Sequence, residues 1–146
     1  SRPESRGSIH INSADHRQHP QIQANYLSTE LDRRTMVDGM KLLLKVFESK
    51  ALASSITSRL APFPELERLD DEALLNHIRE DASTVYHPTS TCSIGKVVDE
   101  NLRVKGLEGL SVVDASVMPY VVSGNTNAAT IMLAEKNADY LVANIQ

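Results

Sequence analysis

The alternation of polar and apolar positions divides the chain into two kinds of region. From Ser8 to Asn12 the side chains alternate, with Ile9 and Ile11 on one side and Ser8, His10 and Asn12 on the other. That period predicts a short half-buried strand closed by a turn over Asn12 to Asp15. The stretch HRQHPQIQANYL reads as loop or edge strand punctuated by Pro20. The period then changes. Met36, Val37, Met40, Leu43, Leu44 and Phe47 recur at helical spacing, behind the N-cap candidates Ser28 and Thr29 and the acidic first-turn residues Glu30 and Asp32. A helix over residues 30–49 follows. KALASSITSRL extends it or forms a second short helix, and Pro62 and Pro64 stop it. Asp70 or Asp71 caps another helix, with Leu74, Leu75 and Ile78 toward a core and His77 beside them.

After Asp81 the pattern shortens. Two alternating pieces around Asp99-Glu100-Asn101 predict a hairpin. Leu110, Val112 and Val113 form an apolar run suited to a strand buried on both faces, approached through Gly106 and Gly109. Asn125, Thr126 or Asn127 then caps a helix over 127–144. The start of that helix is nearly all apolar or small, from Ala128 through Ala134, which predicts an N-terminus turned into the protein interior.

Composition narrows the class. At 146 residues the chain holds one domain-sized core. Its 41% hydrophobic and 23% charged content is that of a globular chain, and with 4% aromatics and no Trp the core must be aliphatic. A net charge of -4 with both signs interspersed gives no basic footprint for nucleic acid. No apolar run reaches the roughly 18 residues of a membrane span. Cys92 stands alone, so no internal disulfide forms, which fits a reducing compartment such as the cytoplasm. The polar, basic start SRPESRGSIH has no apolar core and carries no targeting signal; without an initial Met it reads as a fragment or a processed product.

Two segments have the makings of chemistry. The first is VYHPTSTC, Val85 to Cys92. A lone loop histidine is most often held by a structural hydrogen bond. Here Pro88 restricts His87 to extended backbone, and Thr89, Ser90 and Thr91 can bond back to the main chain. A group that takes and returns a proton near neutral pH needs such a fixed mount. The second is SGNTNAAT. Asn and Thr at a helix start satisfy ordinary capping. The same geometry presents free N–H groups and partial positive charge to an anionic ligand, and Ala128 and Ala129 let a flat one approach. Other arrangements are weaker. His87 and Cys92 lack a third, orienting group for a thiol nucleophile. His10, His16 and His19 match no zinc spacing, so no metal site is expected. No GxGxxG or GxxxxGK phosphate loop occurs.

RPESRGSIHINSAD, NYLS, YHPTSTCSIG, VVDENLRVKGLEGLSVVDASVMP and SGNTNAATIMLAEKNAD occur in this order. Together they resemble the C-terminal region of the glucose–methanol–choline (GMC) family of FAD-dependent oxidoreductases, in a choline dehydrogenase-like form. The likeness runs from Arg2 to Leu141 and is most specific over Tyr86 to Asp139. It implies an α+β fragment of a two-domain flavoenzyme. Residues 1–92 would belong to the substrate-binding domain, with its antiparallel sheet, helices and catalytic His loop. Residues 93–146 would supply the last strand and helix of the FAD-binding domain. His87 matches the catalytic base of the family's HPxGTC motif, and Asn125 matches the second catalytic position, a His or Asn at the start of the last helix. Tyr86, Asp114, Ala115, Thr126, Asn127 and Ala128 become FAD contacts.

The implied reaction is alcohol oxidation to an aldehyde: His87 takes the hydroxyl proton and the carbon's hydride passes to flavin N5. The implied partners are a small-molecule alcohol and the N-terminal FAD-binding part of the parent chain, with a homo-oligomer allowed. A hydroxynitrile lyase on the same scaffold is the alternative, or, for the isolated fragment, a non-catalytic interaction module. One departure stands out: where the family commonly has Gly, this chain has Ser90, which puts the backbone of the His loop in question.

Overall fold

A computed structural model describes residues 2–58 and 70–144. Its elements are strands β1 (Ser8–His10) and β2 (Gln21–Gln23) and helices α1 (Glu30–Phe47), α2 (Lys50–Ala53), α3 (Asp71–Asp81) and α4 (Asn127–Asn144), with a 3-10 turn over Ala115–Val117. It is a small α+β arrangement with a two-stranded antiparallel sheet. The chain divides into two compact units, one of residues 4–6 and 25–83 and the other of residues 1–3, 7–24 and 84–146.

The described residues of the unit 4–6 and 25–83 pack α1 against α3, with the short α2 beside α1. Thr29 caps α1 by accepting the Asp32 N–H, and Asp70 caps α3 by accepting the Ala73 N–H at 2.9 Å. Val37 and Leu44 of α1 and Leu74 and Ile78 of α3 form its core, with Leu27, Met40 and Leu75 packed on it. The buried stripe of α1 is narrower than its apolar periodicity predicts, because Met36, Leu43 and Phe47 are each more than 40% exposed. One polar group is buried beside this core. The Asp32 carboxylate accepts the N–H groups of Glu4 and Ser5, at 2.9 and 2.8 Å, and so fastens residues 4–6 to the start of α1. Burial raises the proton affinity of this carboxyl. The bonds it receives from Ser5, Glu4 and Thr29 outweigh that and hold its pKa below the usual value. The stops expected at Pro62 and Pro64 lie outside the described residues.

In the other unit β1 and β2 pair in the register Ser8 to Gln23, Ile9 to Ile22 and His10 to Gln21. Gly7 leads into this pair because a Cβ there would lie 2.1 Å from the Gln23 carbonyl oxygen. The strand predicted over 8–12 is shorter than its pattern and is exposed throughout, with Ile11 88% accessible. The turn falls later than expected, at Asp15, whose carbonyl accepts the Gln18 N–H. The core of the unit is Val98, Leu102 and Val117, flanked by Cys92, Ile94, Val104, Val112, Val113 and Leu133.

Two further expectations change here. The predicted hairpin around residues 99–101 exists as a turn, with one antiparallel bridge between Val98 and Val104. Its corner is held by Asp99, whose carboxylate accepts the N–H groups of Asn101 and Arg103, both at 2.9 Å. The doubly buried strand at 110–113 does not form: only Ser111 bridges, to Arg103, and Leu110 is half exposed. Val112 and Val113 reach the core with that single bridge beside them, Val112 donating its N–H to the Leu102 carbonyl at 3.0 Å.

Helix α4 has the bounds that the sequence predicts. Its one buried residue is Asn137, whose side-chain amide donates to the Asn101 carbonyl at 2.9 Å and ties the helix to the turn over 99–103. The start of α4 is turned inward on one side only: Thr126 is buried and Leu133 packs on the core, while Ile131 and Met132 are more than half exposed.

Candidate active site

His87 stands in a loop that the chain sets up locally. Tyr86 adopts left-handed backbone, φ 58°, and its N–H bonds the Thr84 hydroxyl at 3.1 Å. Pro88 follows, so the histidine is held between two constrained positions. Ser90 is also left-handed, φ 77°. The position where the family commonly places Gly therefore keeps a glycine-like conformation with a serine in it, at a cost of about 1–2 kcal/mol. The Thr89 and Ser90 hydroxyls bond each other at 3.0 Å, and the Ser93 hydroxyl donates to the Ser90 carbonyl at 2.8 Å.

Downstream, the loop is fastened to the segment around Asp114. The Cys92 and Ile94 N–H groups donate to the Ser116 and Val117 carbonyls, each at 2.9 Å. Asp114 accepts the Ser116 N–H at 2.8 Å and so caps the turn Ala115–Val117. Cys92 packs against the core of this unit, as a structural thiol does.

The contact that joins the two candidate segments spans 39 positions: Thr126 Oγ1 lies 3.2 Å from His87 Nδ1. Thr126 is buried at 8% exposure, whereas Asn125, Asn127 and Ala128 on either side of it are exposed. Its carbonyl accepts both the Thr130 N–H and the Thr130 hydroxyl at 2.9 Å, which opens α4. The N–H groups of residues 127–129 precede that first bond and have no acceptor within the helix. His87 thus lies at the head of α4, next in space to a residue that adjoins Asn125 in the chain. Asp114 and Ala115 are tied to the His loop through Cys92 and Ile94. Tyr86 adjoins His87, but its side chain is 80% exposed.

Thr126 has a duty that the capping pattern conceals. A hydroxyl between two Asn residues at a helix start reads as one more cap. Only the fold reveals that it faces an imidazole 39 positions away.

These elements define a loop-borne imidazole set against the open head of a helix. The chain matches the GMC oxidoreductase family model over residues 3–134 and belongs to that family. An alcohol dehydrogenase [acceptor] of Pseudomonas putida is 42% identical over 147 residues, 98% of this chain and 26% of that protein. An oxygen-dependent choline dehydrogenase of Serratia proteamaculans (strain 568) is 44% identical over 142 residues, 94% of this chain and 25% of that protein. Among solved structures, pyridoxine 4-oxidase from Mesorbium loti superposes with a TM-score of 0.90 at 31% identity, covering 99% of this chain and 29% of that one. The chain spans about a quarter of the length of the curated relatives it matches.

Proposed function

We propose that this chain is the C-terminal part of an FAD-dependent alcohol oxidase or dehydrogenase in which His87 is the general base. On this reading residues 1–92 contribute to the substrate-binding domain and residues 93–146 complete the FAD-binding domain. The observation that carries the reading is the 3.2 Å approach of His87 Nδ1 to Thr126 at the head of α4. It commits one ring nitrogen to the protein and leaves Nε2 for an alcohol hydroxyl.

The head of α4 fits an electron-rich ligand edge. Three N–H groups lack helical acceptors, the side chains at 128 and 129 are methyls, and the positive end of the helix dipole lies there. Asn127, Ala128, Tyr86, Asp114 and Ala115 would hold the FAD. When bound, it supplies the acceptor for the hydride that leaves the carbinol carbon. His87 removes the hydroxyl proton, which raises the tendency of the oxygen to expel that hydride. Asn125 donates from its amide to the same oxygen and orients it. The product is an aldehyde, with the proton on His87.

Replacing His87 by Ala in the complete flavoenzyme is expected to leave flavin absorbance in place. It should slow anaerobic reduction by an alcohol by about 10²–10⁴-fold. Reduction at the parent rate would remove His87 from the reaction.

A further inference from the structure

We infer that Thr126 is a positioning residue for His87, its hydroxyl holding Nδ1–H so that Nε2 is the nitrogen that exchanges a proton with substrate. The inference rests on the base role proposed above. It also reassigns Thr126, whose side chain serves the imidazole rather than the cofactor.

The tautomer of His87 decides which nitrogen can act. A neutral imidazole has one N–H and one lone pair, and a hydroxyl beside it can bond in either sense. For His87 to accept a proton at Nε2, the lone pair must be there and the hydrogen must sit on Nδ1. Once the proton has been taken, both nitrogens carry hydrogen, and Nδ1 still needs an acceptor. In both states of the base Nδ1 is a donor, so the Thr126 oxygen accepts throughout. Loss of that acceptor frees the ring to place its hydrogen on Nε2, which disables it, and withdraws support from the imidazolium.

The surroundings make this partner well fixed. Thr126 is buried, its backbone is pinned by two bonds from Thr130, and its β-branched side chain has restricted rotamers. On the other side His87 is held between left-handed Tyr86 and Pro88. Asp114 is engaged as the cap of its own turn, and the hydroxyl of Thr126 takes the orienting part that a carboxylate plays in other proton-transfer sites.

The test uses the complete flavoenzyme with Thr126→Val, Thr126→Ser and His87→Gln. Flavin content and melting temperature establish that each variant folds. Two quantities are then read: the rate of anaerobic flavin reduction at saturating alcohol, and the protonated ring nitrogen of His87 by 1H–15N correlation of protein labelled at histidine. Thr126→Val keeps the shape and loses the hydroxyl. It should fall at least about tenfold in rate and shift His87 toward the Nε2–H form. Thr126→Ser should recover both. If Thr126→Val keeps the parent rate and Nδ1–H while His87→Gln is slow, the positioning role is refuted and the base role stands. If Thr126→Ser is as slow as Thr126→Val, Thr126 acts by packing, and the inference fails. If His87→Gln also keeps the parent rate, the base role itself falls and takes this inference with it.

Discussion

At the scale of single residues, Asp32 does more than its place at a helix start suggests. Asp32 was legible as a first-turn acid, but not as the anchor of residues 4–6, because its partners lie 27 and 28 positions upstream. Its pKa direction fixes a pH dependence. A carboxyl whose folded pKa is lowered binds protons more weakly in the folded than in the unfolded chain. Its contribution is then complete above the ordinary value of 3.8 and is lost as pH falls through 3.8 toward the lowered value. Asp32→Asn keeps one acceptor and turns the other into a donor facing an N–H. At pH 7 it is expected to cost about 1–3 kcal/mol in urea unfolding, and the gap to the parent should narrow below pH 3.8. An equal gap at pH 7 and pH 3 would show that the carboxylate charge is not what holds the segment. Ser90 teaches the complementary lesson. Its departure from the family's usual glycine was visible in the sequence, but its backbone state was not: only the structure reveals that the serine keeps φ 77°.

At the scale of elements, what was legible followed from period and caps. Helices α1, α3 and α4 were readable because each carries its apolar spacing and a Thr, Asp or Asn at its head. The run at 110–113 was misread because a short apolar stretch specifies burial, not a ladder, and its valines reach the core from irregular backbone. The start of α4 was only partly legible for a related reason: composition tells what a face is suited to meet, not whether the meeting surface belongs to the same chain. Where both sides of a contact are present, the energetics are ordinary. Leu74 of α3 is fully buried among Val37, Leu44 and Ile78. Leu74→Ala removes three carbon atoms and leaves a cavity that two helices cannot fully close. It should cost about 2–5 kcal/mol, read as a lower urea midpoint at unchanged slope. A loss under about 1 kcal/mol would mean that α1 and α3 do not depend on this contact.

At the scale of the whole molecule, the balance of buried and exposed apolar surface carries the argument. Only eight hydrophobic residues among those described are buried, and the core clusters are small. Meanwhile Ile11, Ile22, Val85, Tyr86, Tyr120 and Val142 are each more than 65% exposed, and Ile131 and Met132 more than half. Single exposed apolar residues are ordinary, but several on short stretches of one unit are what an interaction surface presents. A chain that spans about a quarter of its relatives' length has room in a longer protein for segments to cover them. Purified alone, the 146-residue chain is therefore expected to bind the dye ANS and to scatter light as a particle heavier than its 16.1 kDa mass. Replacing Ile131 and Met132 by Lys should reduce both signals, since it places charge on the open side of α4 without touching the buried Asn137. A monomer that binds no dye would mean that these side chains are tolerated in water, and that the head of α4 needs no covering surface.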